Sequence, residues 1–137
     1  MTPQQITLIQ SSWVEVVPIQ DTAAGLFYQR LFVLDPAVRP MFKGDMREQG
    51  QKLMKMLGLI VNSLTRLDDL VPVAQDMARR HVGYGVQAAH YDTVGAALLW
   101  TLEQGLGSKF TDEVKTAWAT AYSTLSQVMK DAAYAPA

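Results

Sequence analysis

An all-α fold is the class this sequence predicts. Apolar residues recur with the helical period in each long segment, and strand-like alternation is nowhere sustained. Residues that start and stop helices fall between those periodic segments. The 137 residues suit one domain spanning 1–137, and 49% hydrophobic residues are enough to fill a core.

Taken in order, Thr2-Pro3-Gln4-Gln5 opens a helix. Thr2 caps it, Pro3 suits its first position and Gln5 completes a capping box. Ile6, Ile9, Trp13, Val16 and Val17 follow the helical period until Pro18. A second helix, from about Asp21 to Leu34, turns Ala24, Phe27, Tyr28, Leu31 and Phe32 inward. Asp35-Pro36 restarts a short helix, and Gly44 to Glu48 reads as a turn. The next helix carries a stripe of Gln49, Leu53, Leu57, Ile60, Val61 and Leu64. Asp68-Asp69 opens another, with Pro72 expected in its first turn and Gly83-Tyr84-Gly85 closing it. A long helix from about Gln87 to Leu106 aligns Tyr91, Val94, Leu98 and Leu102. After Gly107-Ser108, Thr111-Asp112-Glu113 caps a last helix with the stripe Val114, Trp118, Ala121, Tyr122, Leu125, Val128 and Met129. The tail, Ala132 to Ala137, is expected to fray. Helices this unequal do not make a regular four-helix bundle.

Composition removes several function classes. The net charge is −1, and the one basic doublet is Arg79-Arg80, so no nucleic-acid footprint exists. The absence of cysteine excludes disulfides, thiolate sites and covalent c-type haem attachment. No apolar run is long enough for a membrane span, and Met1-Thr2-Pro3-Gln4-Gln5 does not resemble a signal peptide. A cytoplasmic protein is the expectation.

His81 and His90 are the only histidines. His81 ends Met77-Ala78-Arg79-Arg80-His81, just before Gly83 and Gly85. A haem iron can be held by one imidazole nitrogen presented at such a helix end. The bland alternative is a surface histidine facing the helix dipole. His90 reads as a polar residue near its helix start, since glycines separate it from His81.

A wider set of residues bears on that choice. His81-Val82-Gly83-Tyr84-Gly85-Val86, His90-Tyr91 and Val94-Gly95 resemble the proximal segment of bacterial single-domain haemoglobins. The globin domain of flavohaemoglobins is similar. Leu26-Phe27-Tyr28, Leu31-Phe32, Asp35-Pro36, Arg39-Pro40 and Met41-Phe42 resemble the distal half, and Ala117-Trp118 with Ala121-Tyr122 the last helix. The resemblance covers almost the whole chain and implies a globin fold of six to eight helices around a haem b pocket. It implies His81 as the iron's axial ligand, Phe42 against the haem face, Tyr28 as the distal tyrosine and Gln49 at the distal gate. Leu53 would lie over the iron, and Val86, Tyr91 and Val94 would line the proximal side. Lys52 and Arg80 are candidate propionate partners, although a solvated charge explains each equally well. Core packing explains Phe42, Tyr28 and Leu53 without a ligand, and Gln49 reads equally as a solvated first-turn residue. Gly50 is expected to let its helix cross close to Ala24 and Gly25.

Some relatives carry a glutamate that completes a hydrogen-bonded chain to the axial histidine. The matching position here is Ala133, which disfavours a strong peroxidase. The histidine's second nitrogen is expected to donate to a backbone carbonyl instead. Tyr28 and Gln49 would supply two donors to a bound diatomic ligand, so tight oxygen binding with slow release follows. No distal histidine exists for a bis-histidine iron, while Tyr28 or Lys52 remain candidate ferric ligands.

The function implied is reversible binding of oxygen, nitric oxide and carbon monoxide. The enzymatic alternative is a nitric oxide dioxygenase. With the sequence ending at Ala137, it would need a separate reductase. A haem-free helical interaction module has no need of the trio Tyr28, Gln49 and His81. A four-helix cytochrome would want Met54 or Met56 as second ligand, where core packing is the commoner role.

Overall fold

The computed structural model describes residues 2–42, 44–83 and 86–134. Among them are six α-helices: α1 (Pro3–Val16), α2 (Gln20–Leu34), α3 (Met46–Asn62), α4 (Leu67–Gly83), α5 (Ala88–Leu106) and α6 (Asp112–Tyr134). Short 3-10 turns cover Val17–Ile19, Pro36–Met41, Leu64–Arg66 and Gly107–Lys109. No strand occurs among the described residues.

The helix starts follow from their caps. Thr2 and Gln5 exchange the two bonds of a capping box, at 3.0 and 3.1 Å. Thr111 Oγ1 accepts the Val114 N–H at 3.2 Å and opens α6. Gly107, at φ 57°, closes α5 in the left-handed region that glycine enters without steric cost.

Four sequence expectations are corrected. α3 begins at Met46 instead of beyond Glu48, because the Asp45 carboxylate accepts the Arg47 N–H at 2.8 Å. The segment after Asp35 is a 3-10 turn; Pro36 and Pro40 each remove a backbone donor, which shortens the run and tightens it. α4 already opens at Leu67, so Pro72 falls in its second turn. There the missing N–H removes the i→i−4 donor to the carbonyl of Asp68, an exposed residue. Ala132 to Tyr134 belong to α6 rather than to a frayed end, with Ala132 and Ala133 packed on a buried cluster. Tyr84, Gly85 and residues 135–137, on which part of the sequence reading fell, lie outside the described residues.

Two apolar clusters organise the helices. The larger joins Ile9, Trp13 and Val16 of α1 with Phe27, Tyr28 and Leu31 of α2, Leu98 and Leu102 of α5, and Trp118 of α6. Trp118 Nε1 donates to the buried Ser12 Oγ at 2.9 Å, and Ser12 Oγ donates in turn to the Leu8 carbonyl at 2.7 Å. That relay satisfies both polar groups inside the core. The smaller cluster joins Ala74, Met77 and Ala78 of α4 with Tyr91 of α5 and Met129 of α6. Ile60 of α3 packs against both.

The helix contacts divide the molecule along the same line. α3 rests on α2 and α1, whereas α4 rests on α6. Among the described residues α3 and α4 are not a substantially packed pair. Two close crossings depend on glycine. A Cβ at Gly50 would stand 2.9 Å from Ala24 Cβ, as the small residues predict; one at Gly25 would meet nothing within 4 Å, so Gly25 takes no part in that crossing. A Cβ at Gly95 would stand 2.7 Å from Tyr122 Cε2. Gly95→Ala is therefore expected to destabilise the chain by about 1–3 kcal/mol, since the ring must leave its notch. A urea titration against the parent protein checks this.

Candidate functional site

One set of site residues gathers where α2, the Pro36–Met41 turn and the start of α3 meet. Tyr28 is buried, and its hydroxyl donates to the Gln49 backbone carbonyl at 3.2 Å. Phe42 stands edge-on to Tyr28, with ring centroids 5.2 Å apart. Phe32 stacks on Tyr28 at 6.1 Å, and Phe27 meets it edge-on at 5.1 Å. Tyr28, Phe42 and Gln49 are thus brought together from three separate segments. The Gln49 partner of Tyr28 is the main chain rather than the side-chain amide. Leu53 and Val94 are half-buried and pack on the larger cluster with them.

Burial pushes the Tyr28 hydroxyl pKa up to about 12, so it remains a hydrogen-bond donor at neutral pH. The folded chain consequently holds this proton more tightly than the unfolded chain does. Its stabilising effect is complete below about pH 10 and declines as pH rises toward 12. Tyr122 is shifted in the same direction by burial, and then by Tyr91 and Asp92 nearby. Unfolding free energies from urea titrations are expected to fall between about pH 10 and pH 12 for the parent protein and to fall less steeply for Tyr28→Phe, by up to about 1.4 kcal/mol less per pH unit.

The second set lies at the end of α4. His81 occupies the last turn, half-buried, with Nδ1 2.6 Å from the Met77 carbonyl one helical turn back. A carbonyl only accepts, so Nδ1 carries the hydrogen, and the neutral ring in this tautomer has its lone pair on Nε2. Tyr91 sits beside Met77 in the smaller cluster, and Val86 and Ala133 pack against that cluster. The Tyr122 hydroxyl donates to the Tyr91 carbonyl at 2.5 Å, which fixes the first turn of α5 on α6. Sequence reasoning missed this bond; the pairing of Gly95 with a facing aromatic is the signal that could have found it.

The charged candidates stand at the surface. Lys52 is exposed. Arg80 pairs with Asp76 at 3.3 Å, both side chains more than half exposed, a pair of small energetic weight. Met54 is buried in the larger cluster and Met56 packs on the smaller one. Among the described residues no three His, Cys, Asp or Glu side chains cluster as a protein-only metal site. A separate apolar cavity of about 50 Å³ lies between Ile60, Leu64, Leu70, Leu125 and Val128. None of the candidate site residues lines it.

The globin family profile matches residues 25–129, and the chain belongs to the globin family. It is 34% identical over 106 residues to a flavohemoprotein of Bordetella parapertussis, covering 75% of this chain and 26% of that protein. It is 31% identical over 133 residues to a flavohemoprotein of Xylella fastidiosa, covering 95% of this chain and 33% of that protein. The chain thus spans about a quarter to a third of these relatives. A bacterial globin from Campylobacter jejuni superposes with a TM-score of 0.83 at 26% identity, covering 96% of each chain. An engineered carbene transferase from Rhodothermus marinus shares the fold with a TM-score of 0.86 at 24% identity, covering 97% of this chain and 93% of that one. Family membership implies haem. Among the described residues no helix is long and apolar enough to cross a membrane.

Proposed function

We propose that this chain is a single globin domain that binds haem b and reversibly takes up oxygen, nitric oxide and carbon monoxide. The observation that carries the reading is the 2.6 Å contact between His81 Nδ1 and the Met77 carbonyl. It orients the ring and selects the tautomer with hydrogen on Nδ1, the arrangement of a histidine that ligates a metal through Nε2. A donor set of one imidazole suits a metal whose other ligands come with the prosthetic group. The weak packing between α3 and α4 also fits, because a flat group entering there would not have to break a tight helix interface.

When bound, haem would supply an iron able to take up a diatomic ligand. His81 would hold it from α4. Phe42, Leu53, Val86, Tyr91 and Val94 would provide apolar contact and exclude water, and Lys52 and Arg80 would face the propionates. Tyr28 would donate its hydroxyl hydrogen toward a ligand that gains negative charge, with the Gln49 amide as second donor. A cytoplasmic location belongs to the same reading.

The test is colour. Protein purified with haem supplied is expected to show a Soret band that shifts on reduction under carbon monoxide. A chain that stays colourless after haem is supplied favours a haem-free interaction module.

The similarity to flavohemoproteins supports a second reading, a nitric oxide dioxygenase served by a separate reductase. Mixing the reduced, oxygenated protein with nitric oxide in a stopped-flow instrument should give rapid oxidation to the ferric form and nitrate. Slow or absent oxidation excludes this activity and leaves ligand binding.

A further inference from the structure

We propose that His90 and Asp35 form a positioning pair that ties the chain following His81 to the turn carrying Phe42. His90 is the third residue of α5, and its Nδ1 accepts the Gln87 backbone N–H at 3.0 Å. A backbone N–H only donates, so the ring hydrogen sits on Nε2. Nε2 stands 3.7 Å from Asp35 Oδ2, with the two side chains 16% and 27% exposed. The other carboxylate oxygen, Asp35 Oδ1, accepts the Ala37 N–H at 3.2 Å and opens the Pro36–Met41 turn.

Each end of this pair leads to one half of the site. The Val86 N–H bonds to the His81 carbonyl at 3.1 Å, and Gln87 follows as the cap of α5. From Asp35 the turn runs to Phe42, whose N–H bonds to the Arg39 carbonyl at 3.1 Å and whose ring meets Tyr28. His90 uses both ring nitrogens, one on its own helix cap and one toward a carboxylate far away in sequence. A surface histidine that merely begins a helix has no need of the second. The pair is a cross-brace between the two halves and sets how firmly a group between them is held. This rests on the haem reading above.

Substitutions separate the brace from the cap. Glutamine at the third helical position can complete a capping box and still donate toward Asp35, whereas glutamate can cap but repels Asp35. His90→Gln is expected to lose haem to excess apomyoglobin within about twofold of the parent rate. His90→Glu and His90→Leu are expected to lose it about fivefold faster or more. Their iron–histidine stretching band in the reduced protein should shift, while that of His90→Gln should not. In hydrogen exchange on the protein as purified, the Ala37 amide should open faster in His90→Glu and His90→Leu, although it lies on another element.

If His90→Glu matches His90→Gln in haem loss and in Ala37 exchange, only the cap matters and the proposal fails. If His90→Leu does not fold, the Glu–Gln comparison still decides. If the parent takes up no haem, the haem reading fails, and Ala37 exchange tests the brace independently.

Discussion

His81→Ala is expected to abolish stable haem retention while leaving the helices in place. His81 Nδ1 bonds to the Met77 carbonyl of its own helix, and the side chain is only half-buried. Truncating it should cost the fold about 1 kcal/mol, well within the stability of a chain of this size. The loss to the site is of another order, because the substitution removes the one candidate axial nitrogen on α4. Haem retention should fall by more than about a hundredfold, beyond what loss of an outer-shell partner costs. Far-UV circular dichroism of the variant should match the parent, its Soret band should be weak or absent, and added imidazole should restore part of it. A fully coloured variant with unchanged coordination overturns the assignment of His81 and the roles built around it.

Tyr28→Phe is expected to speed oxygen release from the haem-loaded, reduced protein by about ten- to a hundredfold, the kinetic equivalent of one buried hydrogen bond worth 1–3 kcal/mol. The size depends on which acceptor the hydroxyl serves. The hydroxyl has one hydrogen to donate, and it now goes to the Gln49 carbonyl at 3.2 Å, the long end of the hydrogen-bond range. Redirecting it toward a ligand gives up a weak bond and forms one to a group that gains charge, so the net effect favours the ligand. The substitution keeps the ring, and with it the contacts to Phe27, Phe32 and Phe42. Stopped-flow measurement of oxygen displacement by carbon monoxide reads the result. An unchanged release rate means that the hydroxyl keeps its bond to Gln49 and does not serve the ligand.

Much of the fold was legible because the local signals agree with the packing. Thr2-Pro3-Gln4-Gln5 and Thr111-Asp112-Glu113 mark helix starts through side-chain caps, and Gly107 marks a helix end through its positive φ, all without tertiary contacts. Pro72 and the Gly44–Glu48 segment misled for the same reason: their local tendencies were overridden by a helix start specified elsewhere, at Leu67 and at Asp45. The site was legible only as a pattern. Nothing in the one-dimensional spacing of Tyr28, Phe42 and Gln49 shows that they touch, and it was the resemblance that grouped them. Bonds that cross between helices, such as Tyr122 to the Tyr91 carbonyl and His90 toward Asp35, have no sequence period at all. They exist only once α5 has docked on α6 and on the end of α2.

The division of the core into a large and a small cluster has a consequence for assembly. Trp13, Phe27, Leu98 and Trp118 cement α1, α2, α5 and α6 into a scaffold that does not rely on α4. α4 docks on α6 largely through the smaller cluster, built on Met77, Tyr91 and Met129, while Leu67 at its start packs against the larger one. On the haem reading, that scaffold would form before the prosthetic group binds, and binding would add its stabilisation beside the smaller cluster.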